Sequence, residues 1–152
     1  MTYEELLYEA DSNGLIVKEK DIPGYGGRIY KNRIAIHKGI DTSVEKACIL
    51  AEELGHHYTT VGNIIDMTDV QNRKQERQAR LWAYNKLIGL AGIIRAFEAG
   101  CQDVHEIAEY LEVTEEFLYE CIECYKNKYG VCTTVDNYVI YFIPNLSIGE
   151  KV

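Results

Sequence analysis

A chain of 152 residues, 47% hydrophobic and 26% charged, has the size and make-up of one globular domain with a real core. Its 24 acidic against 16 basic side chains leave a formal charge of -8, which repels phosphate backbones and argues against nucleic acid as a direct partner. There is no run of about 18 apolar residues for a membrane span, the opening MTYEELLYEADSNG is acidic where a signal peptide is basic, and five cysteines lack a disulfide-framework spacing, so a cytoplasmic protein with buried thiols is expected.

In chain order, Thr2 and Glu5 form a capping box for a short helix that Asn13-Gly14 ends. GLIVKEKDIP then reads as an extended segment closed by Pro23, and the glycines of PGYGGR mark a flexible connection without a dinucleotide-binding fingerprint. RIYKNRIAIHK alternates around Asn32-Arg33 as a hairpin, with Ile29, Ile34 and Ile36 in strands. A central helix starts at Thr42, with Glu45 completing a second capping box, carries Val44, Ala47, Cys48, Ala51, Leu54 and Tyr58 as apolar positions, and ends near Thr59-Thr60. After a loop, NRKQERQARLWAYNKLIGLAGIIRAFEAG forms a long helix with Glu76, Ala79, Ala83, Leu87, Leu90 and Ile94 on one stripe, Gly89 and Gly92 as bend points and Gly100 as its cap. Two further helices joined through Glu112-Val113-Thr114 resemble a helix-turn-helix, and VCTTVDNYVIYFIP reads as two strands around Asp136-Asn137.

Chemistry concentrates in CILAEELGHHYTT. Residues four apart on a helix point the same way, so Glu52 and His56 can offer an oxygen and a nitrogen to one ion while Glu53 projects from the adjoining face. This is the logic of His-Glu-x-x-His, in which the first and fifth residues hold zinc and the glutamate activates water. Glu52 replaces the first histidine, adding negative charge and widening the choice of divalent ion from zinc toward manganese. Glu76 is the candidate third ligand, because a carboxylate on an otherwise apolar stripe wants a partner. Glu53 would take the proton from the activated water. The register pairing Glu53 with His57 places Leu54 where the base belongs, and His57 lies about 100° from His56 around the axis. On these residues alone a solvated helix face, with Glu76, Arg77 and Arg80 in surface ion pairs, stays open as the alternative.

KACILAEELGHHYT at 46–59, QERQARLWAYNKLI at 75–88 and EIAEYLEVTEEFL at 106–118 resemble the ImmA/IrrE family of metallopeptidase-like proteins, particularly the short forms of phages and integrative elements of Gram-positive bacteria. The resemblance implies that Glu53 is the catalytic glutamate, His56 the second histidine ligand and Glu76 the glutamate ligand, with Glu52 departing from the motif at the first ligand position. It implies an α+β fold: a small antiparallel sheet, a zincin-like helical core and a C-terminal helix-turn-helix-like part followed by a hairpin. Residues 1–100 would form the core, and 101–152 a subdomain packed on it as one unit. By resemblance the substrate is a helix-turn-helix repressor protein, cleaved by a metal-dependent endopeptidase of a mobile element. An inactive pseudo-peptidase that binds the repressor as an antirepressor is the alternative.

Other residues carry plainer expectations. Cys121 and Cys124 have zinc-like spacing without a second pair, and their apolar helix face with Phe117 and Tyr125 suggests core thiols. Acidic side chains at 103, 106, 109, 112, 115, 116, 120 and 123 against Lys126 and Lys128 make the helix-turn-helix-like part a protein-binding element rather than a DNA reader. His37 and His105 are expected to be structural or solvated.

Overall fold

The computed structural model of the chain describes residues 1–60 and 69–151, so the loop expected after Thr60 lies outside the described residues. The fold is α+β, and the chain divides into two compact units, Met1–Lys86 and Leu87–Val152.

The first unit opens with α1 (Tyr3–Ser12), whose Thr2 cap and Glu5 form the full reciprocal box. Asn13 closes it, and Gly14 turns the chain at a φ of +78° that favours glycine. β1 (Ile16–Lys20), β2 (Gly27–Tyr30) and β3 (Arg33–His37) follow as one sheet in the order β1-β3-β2. The expected hairpin is β2-β3, with Lys31-Asn32 at its turn, one residue earlier than read from sequence. Lys31 takes a φ of +54°, which supplies the reversal. β1 adds alongside β3 in parallel, so antiparallel pairing holds for one of the two ladders. α2 (Ser43–Thr59) packs on β2, β3 and α1. Its Thr42 hydroxyl accepts the Glu45 N–H at 3.1 Å, whereas the Glu45 carboxylate accepts the Tyr25 hydroxyl at 2.7 Å. Leu6, Ile34, Ile36, Leu50 and Leu54 are all essentially buried and form the core between these elements. Each such side chain contributes about 1.5–3 kcal/mol of burial.

The expected long helix is two. α3 (Asp69–Leu87) stops at Ile88, Gly89 takes a φ of +66°, and α4 (Gly89–Glu98) restarts with the second unit. Gly92, the other expected bend point, lies buried inside α4, where an added Cβ would come 3.4 Å from Leu111. α5 (Val104–Leu111) and α6 (Glu115–Tyr129) are joined through Glu112, which takes the left-handed conformation at φ +58°, and through the Thr114 cap. β4 (Cys132–Val135) and β5 (Tyr138–Tyr141) form the expected hairpin around Asp136-Asn137. β6 (Ser147–Glu150) adds a third antiparallel strand. Leu118, Cys121, Tyr125, Ile140 and Phe142 are buried in this unit's core. Among the described residues no helix is long and apolar enough to cross a membrane.

Candidate metal centre

α2 crosses α3 at a pair of small residues. Gly55 is buried in α2, and a Cβ built on it would fall on the Ala79 carbonyl. Ala79 is itself fully buried. This close approach sets His56, one residue on, opposite Glu76, three residues back. His56 Nε2 lies 3.2 Å from Glu76 Oε2. The other Glu76 oxygen lies 3.6 Å from Arg80 Nε. One carboxylate therefore meets both the imidazole of His56 and the guanidinium of Arg80.

Gly27 plays a matching part on the sheet side. A Cβ there would come 2.9 Å from Glu53 Cγ and 3.0 Å from Ile49 Cγ2. The missing side chain lets β2 lie close against the site helix, and Glu53 is covered as a result. Burial pushes the Glu53 carboxyl up to about 7, the charges of Glu52 and Glu76 push in the same direction, and Arg28 opposes them. A carboxyl titrating near neutrality can take a proton and give one back at working pH.

The charges of Glu52 and Glu76 thus both act on Glu53, while Glu76 also meets the imidazole of His56. His56 and Glu76 converge as two donors of the kind that zinc or manganese accepts. Glu52 sits one turn before His56 on α2, yet among the described residues no three His, Cys, Asp or Glu side chains stand close enough together to hold an ion. Among the described residues the donor set fits a divalent ion at two positions, His56 and Glu76. His57 turns to the edge of Tyr58 at 4.9 Å between ring centroids, and Tyr58 lies 5.2 Å from Trp82.

Three contributors escaped the sequence reading. Gly55 had a signal, since glycine inside a helix costs about 1 kcal/mol and its presence marks a close approach. Gly27 belongs to a glycine cluster read as a connection, and the charge of Arg28 acts on Glu53 through space with no local signature in the sequence. The remaining histidines have structural partners. His37 Nδ1 accepts the Gly39 N–H at 2.9 Å. His105 sits 3.2 Å from Glu109 and 3.1 Å from Glu115, and its hydrogen bond to Glu115 followed by the nearby charge of Glu109 raises its pKa. None of the five cysteines is in a disulfide. Cys121 is buried and Cys124 partly so, and burial raises both thiols above their ordinary range.

The family model Peptidase_M78, described as the IrrE N-terminal-like domain, matches residues 13–123. No curated protein and no solved structure matches the chain.

Proposed function

The chain belongs to the peptidase family of IrrE N-terminal-like domains, a metallopeptidase-like and generally metal-dependent group, and from that premise we propose that it is an endopeptidase of a mobile genetic element acting in the cytoplasm on a helix-turn-helix repressor. The observation that carries the reading is the meeting of His56 and Glu76 at 3.2 Å across two helices, beside a Glu53 tuned to about 7.

In this proposal His56, Glu76 and Glu52 would hold a divalent ion, zinc in preference to manganese. The ion would supply polarisation of the scissile carbonyl and acidification of water. Glu53 takes the proton of the attacking water at its carboxylate and passes it to the departing amine nitrogen. Burial beneath β2 keeps Glu53 from the low pKa of a solvated carboxylate, so it both accepts and releases the proton near pH 7. The acidic α5-α6 part supports recognition of a protein rather than of DNA.

A second reading rests on a specific feature. Glu52, a carboxylate, stands at the first ligand position where the family motif has histidine, and among the described residues no third donor joins His56 and Glu76, which favours an antirepressor that binds its repressor without cutting it.

Elemental analysis of protein purified without added metal, with His56→Ala and Glu76→Ala in parallel, separates the two. A stoichiometric ion lost in both variants supports the peptidase, and Glu53→Gln should then keep the ion and lose repressor cleavage. Equal cleavage by Glu53→Gln refutes the role assigned to Glu53. Repressor bound intact by metal-free protein establishes the second reading.

A further inference from the structure

Strand alternation sorts the first sheet into two faces. Ile34 and Ile36 are buried on the inner face, where Glu19 of β1 also pairs with Lys46 of α2. On the outer face the register builds two cross-strand rows, Lys18-Ala35-Arg28 and Ile16-Arg33-Tyr30, with Lys20 one step beyond Lys18. These rows line a groove of about 550 Å³. Ala35, on the central strand, forms the floor because its methyl stands between a lysine and an arginine. Ile16 and Tyr30 flank it and are 43% and 72% exposed.

The charge of this face runs against that of the chain. Among the described residues no carboxylate lies within ion-pair distance of Lys18, Lys20, Arg28 or Arg33, in a protein of formal charge -8. Arg28 donates from Nη2 to the Pro23 carbonyl at 3.2 Å, which steadies the arginine without neutralising it. Asp21 approaches one end of the face, 4.0 Å from His37 Nε2.

We propose that this groove docks an acidic segment of a partner protein, seating an apolar side chain over Ala35 between Ile16 and Tyr30 and placing its carboxylates on Lys18, Arg28 and Arg33. The surface lies on the sheet face opposite α2, and of its basic side chains Arg28 also bears on the residues around His56, through its charge on Glu53. Charge complementarity gives the segment direction and speed of approach, and the apolar floor gives the contact that salt does not screen. A phosphate backbone suits the groove less well. Every added nucleotide brings a further charge toward an acidic molecule, and the aliphatic floor offers phosphate nothing. A second copy of the chain would likewise bring its own net negative charge.

Fluorescence anisotropy on the full chain tests this, with a labelled peptide of repeated Glu-Leu-Glu triplets, a Glu-Ser-Glu control and a thymidine oligonucleotide. The Glu-Leu-Glu peptide should bind saturably and more tightly than either control, and weaken as sodium chloride is raised. The double variant Lys18→Glu with Arg33→Glu should weaken it at least about tenfold. Ala35→Leu, which fills the floor and leaves the charge untouched, should do the same. All three side chains point outward, and circular dichroism checks each fold; a variant that misfolds leaves the other to decide. Absence of saturable binding, unchanged affinity in the folded variants, or preference for the oligonucleotide overturns the proposal. So does sedimentation showing self-association that Lys18→Glu abolishes and the peptide does not compete away.

Discussion

Gly55 of α2 lies against the carbonyl of Ala79 of α3, with no room for a methyl group between them. That contact fixes the separation of the helices and hence the 3.2 Å approach of His56 to Glu76. Gly→Ala inside a helix ordinarily stabilises by about 1 kcal/mol. Here the sign should reverse. Gly55→Ala is expected to cost about 1–3 kcal/mol through overpacking and to spread the His56-Glu76 pair. Thermal unfolding provides the measurement, with Gly149→Ala, which meets open space, as a control expected within about 0.5 kcal/mol of wild type.

Glu53 makes stability depend on pH. Its carboxyl titrates at about 7 in the folded chain against 4.5 for an ordinary glutamate. Below the lower value both states hold the proton and nothing is lost. Between the two values the folded state keeps a proton that the unfolded state has released, so stability falls as pH rises toward 7 and stays reduced above it. Allowing for partial solvent access, the loss is on the order of 1–2 kcal/mol. Glu53→Gln should therefore be more stable than wild type by that amount at pH 8, and equal to it at pH 4. Urea titrations in the presence of a chelator would show it; a gain of the same size at both pH values would mean that burial of charge is not the cause.

Glu52 occupies the first ligand position of the helix motif. Glu52→His restores two imidazoles one turn apart and should tighten zinc binding at least about tenfold, or about 1.4 kcal/mol. Competition against a fluorescent zinc chelator reads this directly. Unchanged affinity would remove position 52 from the centre.

Thr114 caps α6, accepting the Phe117 N–H through its hydroxyl at 3.1 Å in a partly buried setting. Thr114→Ala should cost about 1 kcal/mol. Thr114→Ser keeps the acceptor and should retain most of the stability in the same denaturant series.

The parts legible in the sequence are those with local causes. Thr2, Thr42 and Thr114 cap helices because a hydroxyl reaches an N–H three residues on, and Asp136-Asn137 turns a hairpin between its two strands. Helical spacing and family resemblance together point to His56 and Glu76 as neighbours. Parallel pairing of β1 with β3 has no turn to announce it, since the strands are joined through β2. β6 is four residues, Ser-Ile-Gly-Glu, with little strand propensity of its own, and it is held by the ladder with β5. The break after Leu87 falls at Gly89, one of the two expected bend points, and the apolar stripe that continues across it makes a bend legible but not a full break. Propensity is a weak guide where a single positive φ decides where a helix ends.

The alternation of β3 binds the fate of two surfaces. Arg33 and Ala35 face outward for the same reason that Ile34 and Ile36 face inward, and a slip of one residue would exchange them, putting a guanidinium in the hydrophobic interior. The cationic groove therefore inherits the rigidity of the core behind it. Its shape stands ready before any visitor arrives, little freedom remains there to surrender on contact, and the amides of β3 should be among the slowest in the chain to exchange with deuterium.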